Sequence, residues 1–146
     1  MRKILVATHG YLADGIKSSI KILTGKEDCI TCINAYVDQR DYTPDIQAFM
    51  DAVGKEDEAV IFTDLQGGSV NQKVVTMRPE ERGIYLVTGF NLTTVLGVVL
   101  SDGSLTPEIV DEIVESSAKQ MLRLPVKQNP PQGLVTGSEA EAAFFG

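Results

Sequence analysis

The chain has 146 residues, 43% of them hydrophobic and 23% charged, with a formal net charge of −7 and a single histidine. That length suits one domain with a core large enough to stand without disulfides or a structural metal. No apolar run approaches the roughly 20 residues of a membrane span, and the acidic balance argues against nucleic acid, which is bound by clustered cations.

Met1-Arg2-Lys3 leads into an apolar run too short for the core of a signal peptide, so none is expected and the protein reads as cytoplasmic. Ile4 to Thr8 reads as a strand covered on both faces, and it stops at His9-Gly10. Leu12, Ile16, Ile20 and Leu23 recur at spacings of three and four, the stripe of a helix closed by Gly25. Cys29 to Val37 reads as a second strand. Its Cys29 and Cys32 form a C-x-x-C, but strand residues three apart face opposite sides of a sheet. No second cysteine or histidine pair completes a zinc site. Two reduced thiols are therefore expected, with no metal and no cofactor.

In "TPDIQAFMDAVG", Thr43 is the expected N-cap and Pro44 the first helical residue, with an Ile46/Phe49/Met50/Val53 face and Gly54 as the stop. Ala59 to Thr63 forms a third strand that runs into Asp64 and the loop "DLQGGS". Ser69 to Met77 reads as a short helix with Val70, Val74 and Met77 inward. "GIYLVTG" is a fourth strand, followed by a helix from about Asn91 to Leu100. Thr106 caps the last helix, with Pro107 in its first turn and Ile109, Val110, Ile113, Val114, Met121 and Leu122 at helical spacing. Beyond Pro125 the composition shifts to Gln, Asn, Pro, Gly and small residues, where "GLVTG" offers a short edge strand. The expected division is a domain over residues 1–124 and a C-terminal segment over 125–146.

Strands separated by helices imply βαβ units and an α/β three-layer sandwich with a mainly parallel sheet, order 2-1-3-4. That order sets the C-terminal ends of strands one and three side by side, at the switch point where such sheets bind ligands. His9 ends the first and Asp64 the third. A carboxylate that accepts from one ring N–H fixes the tautomer and leaves the other nitrogen as a lone pair. Gly67, Gly68 and Ser69 open a helix whose N–H groups and dipole suit an anion, and Gly10 opens another. A nucleophilic imidazole beside an anion cradle points to phosphoryl transfer.

Competing motifs fit less well. "GGSVN" is not the G-x-S-x-G elbow, because Asn71 stands where the second glycine belongs. A Ser69–His9–Asp64 hydrolase triad is awkward with serine and aspartate five apart in one loop. The P-loop and dinucleotide patterns are absent, and a receiver domain would have acidic residues where Thr8-His9-Gly10 stands. Tyr11, Asn71 and Asn91 either border the crevice or serve as loop and capping residues.

"ILVATHGYLADGI" followed by "AVIFTDLQGGSVNQ" resembles the IIA domain of the mannose family of the bacterial sugar phosphotransferase system, from about residue 2 to residue 124. The resemblance implies that His9 takes a phosphoryl group on Nε2 from the phosphocarrier HPr and passes it to a separate IIB component. Asp64 would orient the ring through Nδ1, and Ser69 with the Gly67 and Gly68 backbone would contact the phosphate. It also implies homodimers, in some members with an exchanged C-terminal strand. Val70 departs from the pattern, since many members have proline or a small residue there. The phosphotransfer subunit of a dihydroxyacetone kinase and a phosphorylation-sensing regulatory domain share the fold and stand as alternatives.

Overall fold

Strand β1 covers Arg2–His9 and β3 covers Glu58–Thr63, and the middle of each, Ile4 to Ala7 and Ala59 to Phe62, is wholly apolar because each lies inside the sheet with helices on its two faces. Strands β2 (Ile30–Ala35) and β4 (Tyr85–Thr88) take the edges, so that the four parallel strands run in the expected order β2-β1-β3-β4. The computed structural model describes residues 1–126, and the edge strand expected near "GLVTG" lies outside the described residues. Ala7 pairs with Thr63 and His9 with Ala35, a register that brings the ends of β1, β2 and β3 together.

Alternation along the strands sorts the core into two halves. Ile4, Val6, Val60 and Phe62 face helices α1 (Leu12–Thr24), α4 (Leu92–Leu100) and α5 (Pro107–Ala118). Leu5, Ala7, Ile33 and Ile61 face α2 (Thr43–Asp51) and α3 (Ser69–Thr76). The result is the three-layer sandwich. Gly97 lets α4 approach α5 closely, since a methyl group there would stand 2.8 Å from Ile113 Cγ2.

Several local expectations are corrected. The buried stripe of α1 is Ala13, Ile16 and Ile20, whereas Leu12 and Leu23 are exposed. Cys29 sits in a 3-10 turn, Glu27–Cys29, before β2 begins, so strand alternation does not apply to it. Both thiols therefore pack against the α1 half of the core, free and unbridged. Burial pushes the Cys32 thiol up to about 11 and raises that of Cys29 as well, which keeps both protonated at neutral pH. Thr43 is not the cap of α2; Asp41 accepts from its N–H at 2.9 Å and its hydroxyl at 2.7 Å. Helix α5 stops at Ala118, leaving Met121 and Leu122 exposed beyond it. Asn91 and Thr106 do cap α4 and α5, accepting from Thr94 N–H at 2.8 Å and Ile109 N–H at 3.2 Å.

Candidate active site

His9 is the last residue of β1, and its ring emerges at the carboxyl end of the sheet beside the residue that follows β3. Asp64 Oδ2 accepts from the His9 backbone N–H at 2.8 Å and lies 2.9 Å from His9 Nδ1, while its Oδ1 accepts from Leu65 N–H at 2.9 Å. Burial works to raise the Asp64 pKa. The hydrogen bonds from the His9 backbone, the His9 ring and Leu65 outweigh it and hold the carboxyl below its usual range. An ionised carboxylate can only accept, so Nδ1 carries the ring proton and Nε2 presents a lone pair.

That lone pair faces the start of α3, where Ser69 Oγ lies 3.2 Å from Nε2. The N–H groups of Ser69, Val70 and Asn71 open the helix and have no acceptor among the described residues, as expected for a first turn. Gly10, Gly67 and Gly68 are different. Their N–H groups already donate to Ala35 O at 2.8 Å, to Asn71 Oδ1 at 3.1 Å and to Leu65 O at 3.0 Å. The donors expected from these glycines are engaged inside the protein, so the glycines shape the site instead of lining it. Gly67 turns the loop at a φ of +75°. At Gly68 a methyl group would press Leu65 Cβ and O at 3.1 Å and stand 3.7 Å from His9 Cε1.

Two contributors have roles that the sequence does not assign. Asn71, left between crevice and loop roles, is buried; it accepts from Gly67 and donates from Nδ2 to the buried Thr63 hydroxyl at 3.0 Å. It thereby ties the glycine loop to the end of β3. Tyr36, just past β2, has a left-handed backbone with φ +66° and stacks its ring on that of His9 at 5.3 Å and 28°. Its hydroxyl donates to Ser69 Oγ at 2.9 Å. The only sequence signal for Tyr36 was its place at the end of the strand beside β1. Among the described residues no cluster of histidine, cysteine and acidic side chains is grouped to hold a metal ion.

The geometry of an oriented imidazole facing a helix amino end coincides with a family match. The model of the family described as PTS system fructose IIA component matches residues 3–115, which takes in every residue of the site. The chain belongs to this family. As a IIA component it is a phosphocarrier of the sugar phosphotransferase system, the role the family and the IIA structures like it support. Among solved structures, a proposed sugar phosphotransferase system permease from Klebsiella pneumoniae is 28% identical, with a TM-score of 0.70 over 81% of this chain and 86% of that one. The EIIA component from Streptococcus agalactiae is 26% identical, with a TM-score of 0.72 over 84% of this chain and 97% of that one. A mannose/sorbose IIA subunit from Enterococcus faecalis, 15% identical over 88% of this chain and 98% of that one, shares the fold at a TM-score of 0.71. No curated protein sequence matches the chain.

Proposed function

We propose that this IIA component carries its phosphoryl group on His9 Nε2, accepting it from phospho-HPr and passing it to a IIB component. The observation that carries this reading is the Nδ1–Asp64 hydrogen bond at 2.9 Å, which leaves Nε2 as the nucleophile opposite Ser69 and the first turn of α3. As the donor phosphoryl group approaches in line, the Nε2 lone pair forms the new N–P bond. The electron pair of the broken bond returns to the donor nitrogen. The ring gains positive character, which Asp64 offsets, and the phosphoryl oxygens meet the Ser69 hydroxyl and the free N–H groups of Ser69 and Val70. Gly10, Gly67 and Gly68 contribute turn shape and clearance for the incoming group.

The same reading places the protein in the cytoplasm as a homodimer. In support, no helix among the described residues is long and apolar enough to cross a membrane, and family membership implies HPr and IIB as partners. The decisive experiment is incubation with phosphoenolpyruvate, enzyme I and HPr, followed by detection of an acid-labile phosphoryl adduct. Wild type is expected to label and His9→Ala to remain unlabelled while folded; full labelling of His9→Ala would sink the proposal. Onward transfer to a IIB component separates a carrier from a regulatory domain, which would accept phosphate and keep it.

A further inference from the structure

Tyr36 touches the site twice, through its ring and through its hydroxyl, and it does so from a backbone conformation that tyrosine disfavours. Among the described residues only Tyr36 and Arg78 combine a side chain with positive φ. Such strain persists where surrounding contacts over-determine it. Here those contacts are the stack on His9, the bond to Ser69 Oγ, and a 3.3 Å contact between the Tyr36 and Tyr42 hydroxyls. Proton bookkeeping orders the chain. Asp64 fixes the ring proton on Nδ1, so Nε2 must accept and the Ser69 hydroxyl must donate to it. Ser69 Oγ is then free to accept from Tyr36, as the geometry has it.

Building on the carrier reading, we infer that Tyr36 is a positioning residue for phosphoryl transfer: it holds Ser69 Oγ in place so that the Ser69 proton moves from the Nε2 lone pair to a phosphoryl oxygen as the N–P bond forms. In the resting protein the Ser69 proton covers the nucleophile. On transfer the donor N–P bond breaks with its electron pair returning to the donor nitrogen, and the Nε2 lone pair makes the new bond. The Ser69 O–H turns to a phosphoryl oxygen without leaving its own oxygen, and Nδ1 keeps its proton on Asp64. No proton enters or leaves. The Tyr36–Ser69 bond persists through both states, so the serine changes partner by rotating its O–H and its side chain stays put. The Tyr36 ring face, lying on the imidazole, also favours the positive ring of the phosphorylated form.

The test is single-turnover transfer from phospho-HPr at varied donor concentration, for wild type, Tyr36→Phe and Tyr36→Gly. Tyr36→Phe keeps the ring and loses the hydroxyl; it is expected to lower the maximal rate about tenfold, less than the roughly 100- to 1000-fold of losing a direct donor, with the half-saturating donor concentration unchanged. Tyr36→Gly loses both contacts but accepts the backbone conformation freely, so it is expected to be slower still while unfolding at no lower temperature than wild type. A wild-type maximal rate in Tyr36→Phe overturns the inference and leaves the carrier reading intact. So does a change confined to half-saturation, which would make Tyr36 a partner contact. Failure of wild type itself to label on His9 overturns both.

Discussion

Asp64 accepts from the backbone and the ring of one residue, so the same carboxylate that sets the His9 tautomer also fixes where β1 ends. Asparagine in its place keeps the size but loses the charge that offsets a positive ring and the preference for a proton on Nδ1. Asp64→Asn is expected to slow labelling by about 100-fold or more with an unchanged circular dichroism spectrum; a wild-type rate would remove Asp64 from the mechanism. Its pKa is depressed in the folded protein, so its contribution to stability is complete above the ordinary carboxylate value of about 3.9. That contribution is lost as pH falls through the lowered folded value. Between pH 5 and 8 Asp64 should add no pH dependence to unfolding, and Asp64→Asn should flatten the acid limb. Asn71 acts at one remove. Asn71→Ala leaves the Gly67 N–H and the Thr63 hydroxyl without their partner, which is expected to cost about 1–3 kcal/mol in denaturant unfolding and to slow transfer through a loosened loop.

Among the elements, the α4–α5 contact makes the sharpest prediction. Alanine at Gly97 would gain up to about 1 kcal/mol of helix propensity, but its methyl group meets Ile113 Cγ2 at 2.8 Å, and overpacking of this kind costs about 1–3 kcal/mol. Gly97→Ala is expected to lower the unfolding temperature, and adding Ile113→Ala should cost less in that background than in wild type. Strands β1 and β3 were legible because a strand buried on both faces leaves an uninterrupted apolar run. The cap of α5 is legible because Thr106 bonds to an N–H only three residues on, whereas Asn91, which caps α4 in the same way, also reaches Ser117 O at 2.8 Å and stays ambiguous in the sequence. The start of α2 differs from the expectation because Tyr42 takes the cap position and Thr43 is the first helical residue, its N–H and hydroxyl both held by Asp41 in a turn that the local sequence does not dictate. Likewise the apolar spacing overextends α5. Met121 and Leu122 continue its spacing, but the chain leaves the helix at Ala118 and puts them in solvent.

At the scale of the whole molecule, the sheet is fastened at the end opposite His9. Asp57 accepts from Gly54 N–H at 2.8 Å and pairs with Lys3 at 3.1 Å and the terminal ammonium at 3.4 Å, and these partners bring its pKa down to about 2. Arg2 donates to the carbonyls of Val98 and Ser101 at 2.9 and 2.6 Å and pairs with Glu58 at 2.9 Å, joining β1 to β3 and the end of α4. Asp57→Asn is expected to destabilise the protein at neutral pH and to remove part of the loss that wild type shows as pH falls from about 4 toward 2. How His9 and Asp64 meet was readable from sequence because strand order follows from the alternation of elements, and strand order puts two chain positions at one switch point. Tyr36 was not readable in the same way: its role depends on a left-handed turn that no residue around it demands.

The register Ala7–Thr63 joins segments more than fifty residues apart in the chain, and the hydrogen bond from the His9 backbone to Asp64 exists only once that pairing is made. Closing so long a crossover is an entropic cost met before its contacts reward it, which makes parallel central pairing intrinsically slow. The nucleophile is therefore assembled by the folding transition itself. A nascent or partly unfolded chain holds a histidine and an aspartate but no oriented lone pair, and during refolding the capacity to take phosphate should return with the global phase and not before it. On the proposed carrier reading, uptake of phosphate on His9 would thus report that the central strands have found each other.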